Sequence, residues 1–276
     1  MRIDCHTHAF ADKIAEKAVE QLIAYYQLPT SFGGRLPDLL QHALAAHLDA
    51  LVLLVAATRP EQVKPANDWI LHLSRTPTSV LQARYGLPAL PKIVPFGTLH
   101  TDDTQWQGEV ARLRAAGIRG IKLHPEFQGI DLADPRLLPM CEEIAGEFIL
   151  MVHVGDPKVS ADNLSTPAKI AALARNFPSL TIIAAHMGGY CFWEDSYREL
   201  AGKSVYLDTS SAIAFMPPEL LKAIIDRHGT ERVLMGSDYP LSSPQQELAL
   251  LERIPWLNPA QLEAICGGNI ARLLGL

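Results

Sequence analysis

Two histidines stand one residue apart near the start of the chain, in the segment RIDCHTHAF (residues 2–10). His6 and His8 follow Asp4 at the same spacing, and side chains two positions apart in a regular β-strand share a face. A buried imidazole without a partner costs free energy, so a common ligand is the economical explanation for several of them together. Neutral imidazole plus carboxylate suits a divalent metal such as zinc, and also manganese or iron.

Histidine, aspartate or lysine stands at the end of four other apolar segments: GIRGIKLH, FILMVHVG, LTIIAAHMG and RVLMGSDY. Their polar residues are Lys122, His124, His153, His186 and Asp238. One histidine at a strand end would be weak evidence, but convergence from five strand ends predicts a common site. Four other histidines lie in helix-like segments, where solvated or packing roles are expected: His42, His47, His72 and His228. His100, which ends a further strand, is intermediate.

Such convergence requires a fold that gathers strand ends at one place. Eight short apolar runs, near residues 3, 53, 95, 121, 151, 183, 207 and 235, are each followed by a helix-like stretch. This pattern predicts an α/β fold, a (β/α)8 TIM barrel, whose active site lies at the C-terminal ends of the strands. A doubly wound sheet is the alternative, but the sequence has neither a G-x-G-x-x-G after a strand nor a Walker A motif.

The chain contains no Ser/Gly linker or low-complexity segment, so residues 1–276 are predicted to form one domain. The connection over residues 9–48 is long, and we expect two helices there, broken at LPTSFGGRLP (28–37). That loop could act as a lid over the barrel. A C-terminal helix is expected over roughly 259–274.

Composition limits the classes of partner. The net charge is −6 and no run of basic residues occurs, which argues against nucleic acid as a partner. The longest apolar runs, such as LVLLVAA (51–57), are too short to span a membrane. Four widely spaced cysteines and no signal-peptide pattern predict reduced thiols in a cytoplasmic protein. A homodimer is a reasonable prior for a barrel enzyme.

Four segments, in order, resemble motifs of the amidohydrolase superfamily. DCHTH (4–8) is similar to its D-x-H-x-H signature, and VHVG (152–155), AHMGG (185–189) and GSDYP (236–240) resemble its motifs on strands 5, 6 and 8. The likeness covers the whole chain and is greatest to the amidohydrolase-2 branch. That branch includes hydrolases, lactonases and non-oxidative decarboxylases related to aminocarboxymuconate-semialdehyde decarboxylase. The resemblance implies a metal-dependent hydrolase barrel that acts on a small molecule.

The resemblance also implies residue roles. His6, His8, His153 and Asp238 resemble metal ligands, and Asp238 resembles the residue that takes a proton from the metal-bound water. His186 resembles the strand 6 histidine, which binds a second metal in binuclear members. In mononuclear members the same histidine is a catalytic acid or base, or a substrate contact. The expected cofactor is one or two divalent ions, with Zn²⁺ expected first and Mn²⁺ or Fe²⁺ as alternatives.

Lys122 is open to two interpretations. The segment IKLHP (121–125) is similar to the strand 4 motif of dihydroorotases, where a carboxylated lysine bridges two metals. The branch that the chain most resembles is more often mononuclear. There an uncarboxylated Lys122 would bind an anionic substrate group or pair with an acid inside the barrel. His124 would be a substrate contact, an alternative ligand, or a residue held structurally by the turn at Pro125.

Two reactions suit such a site. The leading one is hydrolysis of an ester, lactone or amide bond by a metal-activated water, with Asp238 and His186 as catalytic residues. The alternative is non-oxidative decarboxylation of an aromatic or unsaturated acid, for which Arg59 or Lys122 could hold the anion. A third hypothesis is a zinc barrel that binds a ligand or partner without turnover. The candidates for substrate binding are Arg59, His124, Asp156 and Tyr190. Asp156 and Tyr190 could equally be cap or turn residues, and Arg59 a surface loop residue.

Overall fold

The computed structural model describes residues 1–30 and 32–276, and its centre is a parallel sheet of eight strands in sequential order. The strands are β1 (Ile3–His8), β2 (Ala50–Leu54), β3 (Lys92–Thr98), β4 (Gly120–Leu123), β5 (Ile149–Val152), β6 (Thr181–Ala184), β7 (Tyr206–Asp208) and β8 (Val233–Leu234). The sheet curls so that the chain around β8 lies beside β1, where the amides of Cys5 and His8 donate to the carbonyls of Met235 and Tyr239. The predicted TIM barrel is therefore confirmed.

Helices follow the strands and cover the outside of the barrel. They are α1 (Ala15–Tyr26), α2 (Leu36–Ala45), α3 (Val63–Arg75), α4 (Thr78–Tyr85), α5 (Trp106–Ala115), α6 (Pro125–Gln128), α7 (Leu138–Ile144), α8 (Pro167–Asn176), α9 (Trp193–Glu199), α10 (Pro218–His228), α11 (Pro244–Glu252), α12 (Pro259–Glu263) and α13 (Asn269–Leu274). The hydroxyl of Thr166 caps α8 by accepting from the amide of Lys169, as its place before a proline predicts. Asp134 caps a 3₁₀ turn, Pro135–Leu137.

The first connection contains the two predicted helices, α1 and α2. The predicted lid loop over residues 28–37 includes residue 31, which lies outside the described residues. The C-terminal helix is not continuous, because a π-helical turn, Ala264–Gly268, separates α12 from α13. At Gly267 the backbone leaves helical geometry where it meets the N-terminus, and a Cβ there would collide with the carbonyl oxygen of Met1.

The core has two parts, and the strands separate them. Apolar side chains on the outer faces of the strands pack against the helices, as Leu51 and Leu53 of β2 do. Those on the inner faces fill the lower barrel, among them Val52, Phe96 and Met151. Above this apolar layer the inward positions become polar, and the site begins there.

A bulge in β1 decides which polar residues face inward. Asp4 and Thr7 are aligned with Leu51 and Leu53 on the outer face of β2, and the register shifts between them. One extra residue is therefore inserted, so that Cys5 packs in the inner core while His6 and His8 also reach the interior. The expectation that Asp4 shares a face with the two histidines is wrong, because strict alternation does not hold across a bulge.

Candidate metal centre

The first group of candidate ligands comes from β1 and from the segment after β8, which lie side by side where the barrel closes. The Nε2 atoms of His6 and His8 lie 3.2 Å apart, and Oδ1 of Asp238 lies 3.4 Å from the first and 3.7 Å from the second. Ligands at about 2.0–2.1 Å around a tetrahedral zinc ion would lie roughly 3.3–3.4 Å from one another. The three atoms thus have the types and the spacing that suit a divalent cation.

A buried carboxylate fixes which nitrogen of His6 points at this group. Oδ2 of Asp208, at the end of β7, lies 3.0 Å from Nδ1 of His6 and is fully buried. Because a carboxylate only accepts, Nδ1 carries the hydrogen and Nε2 keeps its lone pair for a metal. The other oxygen of Asp208 accepts from the amides of His186 and Ser210. Sequence reasoning missed Asp208, although it ends the seventh apolar run and lies two positions before Ser210.

Asp238 is held by its backbone and by a hydroxyl. Its φ of 59° lies in the left-handed region, which is uncommon for residues other than glycine and occurs often at functional sites. Its amide donates to the carbonyl of His6, and Ser211 Oγ donates to its Oδ2 at 2.9 Å. Burial raises the pKa of the Asp238 carboxyl to about 7, opposed by the nearby amine of Lys122.

His153 and His186 form a second candidate group. Nδ1 of His153 lies 2.9 Å from Nε2 of His186, and the outer nitrogens of the two rings face the carbonyl oxygens of Gly155 (3.0 Å) and Ser210 (2.9 Å). Since a carbonyl only accepts, both outer nitrogens need a hydrogen, and two neutral rings then direct lone pairs at each other. Burial lowers the pKa of His186 to about 4 and that of His153 well below its usual value, which disfavours an extra proton. Two inner lone pairs at this distance are unfavourable unless a hydrogen or a cation lies between them.

The structure brings Lys122 into the centre of the site. Its side chain is fully buried, and its Nζ lies 3.2 Å from Nε2 of His6. Burial lowers the pKa of the amine to about 8, while the carboxylates of Asp238 and Asp208 oppose the shift. This position is compatible with both sequence interpretations, because a bridging carbamate and an anion-binding amine would each have to lie beside the ligands.

The end of α1 covers the mouth of the barrel. The Tyr26 hydroxyl lies 3.0 Å from Nε2 of His124 and 3.5 Å from Nε2 of His153. The neighbouring Tyr25 donates a hydrogen bond to Asp156. The ring of His124 stacks on that of His153, with centroids 3.9 Å apart. The end of α1 therefore forms part of the wall at the mouth of the barrel.

Beside Tyr26 and His153 lies a partly open chamber of about 10 Å³, which is about the room that one water molecule needs. Its walls are Tyr26, Leu28, His153, His186, Tyr190, Ser211, Asp238 and Leu241. Asp238 of the first candidate group and both histidines of the second therefore face one small space.

The predicted substrate-binding residues divide into two sets. Tyr190 lines the chamber, and His124 and Asp156 contact the two tyrosines of α1. Arg59 is not brought to them, because its side chain is 69% exposed and lies 3.3 Å from the carboxylate of Glu61. It follows β2, but the chain there turns outward into a 3₁₀ helix, Pro60–Gln62.

Comparison with known proteins gives the class. A family model described as Amidohydrolase matches residues 3–276, so the chain belongs to the amidohydrolase family, in its amidohydrolase-2 branch, and is an enzyme. The search of curated proteins found no match. None of the helices in the described part of the chain combines the length and apolar character that crossing a bilayer requires.

Solved structures with the same fold are distant in sequence. An uncharacterized TIM-barrel protein of Bordetella bronchiseptica has 16% identity and a TM-score of 0.76, with 99% of this chain and 98% of that one covered. A dihydroxybenzoic acid decarboxylase of Polaromonas, with bound manganese and the inhibitor 2-nitroresorcinol, has 14% identity and a TM-score of 0.65, covering 100% and 97%. An amidohydrolase of Burkholderia multivorans with bound HEPES has 18% identity and a TM-score of 0.65, covering 100% and 99%.

Proposed function

We propose that this enzyme hydrolyses an ester, lactone or amide bond of a small molecule, with a divalent metal, zinc in the first instance, as cofactor. The observation that carries the proposal is the water-sized chamber, because Asp238 and His186 both line it and Asp238 also belongs to the first ligand group. His6, His8 and Asp238 would hold the metal, with His153 and His186 as the second candidate group. When bound, a divalent ion supplies Lewis acidity, which acidifies a water and polarises a carbonyl group.

The chain's own residues account for the proton transfers. Ser211 donates to Oδ2 of Asp238 and so orients this carboxylate toward the chamber. Asp238 accepts a proton from the attacking water and returns it to the leaving group. His186, whose Nδ1 donates to the carbonyl of Ser210, presents the lone pair of Nε2 at the chamber, where it can accept a hydrogen bond from the attacking water. Tyr26 and Tyr190 form part of the chamber wall and would limit the access of bulk water.

The test uses zinc-loaded protein with panels of p-nitrophenyl esters, lactones and N-acyl amides, in water enriched in ¹⁸O. We expect turnover with one ¹⁸O atom in the acid product, and we expect Asp238→Asn to lower kcat by about 10²–10⁴-fold while the protein stays folded. Asp226→Asn, on the surface of α10 and paired with Lys222, is the matched control. An Asp238→Asn protein with wild-type turnover would contradict the role given to Asp238.

Decarboxylation is the second candidate, and the buried amine of Lys122 beside His6 favours it. In that reaction Lys122 would hold a carboxylate of the substrate near the metal ligands. The matched structures also include a decarboxylase of dihydroxybenzoic acid. The discriminating assay offers hydroxybenzoate-type acids to the metal-loaded enzyme. Release of carbon dioxide without ¹⁸O in the organic product would identify a lyase and exclude the hydrolytic proposal for that substrate.

A further inference from the structure

A larger cavity, of about 580 Å³, lies directly beside the catalytic chamber. Three parts of the chain form it: the segment after α1, the loop after β7, and the stretch from Leu241 to the end of α11. Most of the lining is apolar, contributed by Leu28, Pro29, Ala212, Ala214, Phe215, Leu241, Ala249 and Leu250. The Phe215 side chain is 49% exposed, an unusual state for a large apolar residue next to a site.

The cavity and the chamber adjoin each other. Leu28, Ser211 and Leu241 line both, and Ser211 also donates to the carboxylate of Asp238. The chamber alone has room for about one water, whereas pockets for small-molecule ligands have volumes of about 300–1,000 Å³. A substrate whose reacting group reaches Asp238 must therefore place the rest of its atoms elsewhere, and the adjoining cavity has the required volume.

The lining of the cavity contains one basic and one acidic residue, and only the basic one is exposed. Arg253, the residue that follows α11, lines it and is exposed, and its guanidinium forms no ion pair within residues 1–30 and 32–276. The acidic residue of the lining is Glu247, which is 2% exposed. Burial raises the pKa of the Glu247 carboxyl well above its usual value, which favours its neutral form. Arg253 is thus the exposed charged residue of the lining.

We propose that this cavity is the subsite for the non-reacting part of the substrate, and that this part is an apolar arm ending in an anionic group that pairs with Arg253. The inference rests on the proposed function, because the reacting end must lie at Asp238. It adds a substrate class: esters, lactones or amides whose acyl part carries a distal carboxylate or similar anion. Ala214, Ala249 and Phe215 would contact the arm and set its length and width.

The test measures binding rather than turnover. Hydroxamates place a metal-chelating head at the ligands, so zinc-loaded protein is titrated calorimetrically with acetohydroxamate, octanohydroxamate and suberic acid monohydroxamate. Each methylene that the cavity buries should tighten binding by up to roughly threefold to fourfold. We expect octanohydroxamate to bind at least about tenfold more tightly than acetohydroxamate, and suberic acid monohydroxamate to bind more tightly still at low salt.

Three variants separate the parts of the proposal. Ala249→Phe fills the cavity and should remove the preference for the long chain without weakening acetohydroxamate. Ala214→Phe, on a different element, should act in the same way and serves if the first variant fails to fold. Arg253→Gln should remove only the preference for the distal carboxylate, whereas Arg175→Gln, on exposed surface of α8, should retain it.

Each outcome supports or overturns a particular part of the proposal. Equal affinity for long and short hydroxamates in the wild type, or a chain-length preference that survives both alanine variants, would overturn the subsite. A carboxylate preference that is absent, or that persists in Arg253→Gln, would overturn the anionic end. If acetohydroxamate fails to bind while octanohydroxamate binds and Ala249→Phe abolishes that binding, the subsite stands and the proposed metal-dependent function fails.

Discussion

Asp208 is the residue whose removal tests most directly how the metal centre is built. Its Oδ2 accepts from Nδ1 of His6 at 3.0 Å, in a position with no exposure to solvent. Asp208→Asn keeps the shape of the side chain but replaces an acceptor oxygen with either an amide oxygen or an amide nitrogen. If the nitrogen faces His6, Nδ1 must accept, and the hydrogen moves to Nε2, the atom that faces His8 and Asp238.

The expected size of the effect follows from this geometry. Loss of such a carboxylate–histidine contact typically lowers metal affinity by about 10–100-fold, or about 1.4–2.7 kcal/mol. The other oxygen of Asp208 accepts from the amides of His186 and Ser210, so His186 should also shift. We therefore expect the zinc affinity to fall toward the upper end of that range.

The assay is competition for zinc between the apoprotein and a chromophoric chelator at pH 7, for wild type and Asp208→Asn. Asp226→Asn is again the control, because it removes the same charge from an exposed position. The melting temperature of each apoprotein shows whether the variant folds. A folded Asp208→Asn protein that binds zinc within about twofold of wild type would refute the argument that Asp208 sets the tautomer of His6.

Three further predictions address the cofactor, the cover and pH. Removal of metal by a chelator should abolish turnover and lower the melting temperature. Added zinc at about 100 times its Kd should restore about 2.7 kcal/mol of stability, measured calorimetrically. An unchanged melting curve would count against a bound ion. Tyr26→Ala should speed zinc transfer to a chelator at least about fivefold, because its ring covers the chamber, while Tyr26→Phe keeps the ring and should change the rate by less than that. Burial lowers the pKa of His228, on α10, from 6.5 to about 4, so the unfolded chain binds more protons between those values and stability should fall as pH falls from 6.5 to 4. Urea unfolding of His228→Gln should show a shallower loss across that window, and an identical slope would contradict this assignment.

Much of the candidate site could be read from residue order because of how a parallel barrel is built. Each strand enters from the same end, so the polar residues after the apolar runs collect at one mouth whatever the loops do. His6, His8, His153, His186, Lys122 and Asp238 meet for this reason. Arg59 shows the limit of that reasoning, since it lies past the strand end in a segment that turns to solvent.

Local strand irregularity accounts for the error on Asp4. A period of two places Asp4, His6 and His8 on one face, but the bulge in β1 turns Asp4 to the outer face. There its Oδ1 accepts from the amides of His6 and Ser237, so it supports the strand ends from behind the site. None of the residue types in the segment DCHTH indicates that β1 contains a bulge.

The amino-acid order by itself determined the eight strand–helix units, the mouth at which the site forms, and the types of side chain that gather there. Only the tertiary structure decided which nitrogen of His6 faces the ligand group, how Tyr26 covers the chamber, and that a cavity ending at Arg253 adjoins it. The physical reason is how far apart in the sequence the contacting residues are. Strand periodicity and helix caps depend on neighbours within a few residues, whereas the contact between His6 and Asp208 joins side chains 202 positions apart. Such contacts exist only after the barrel has closed.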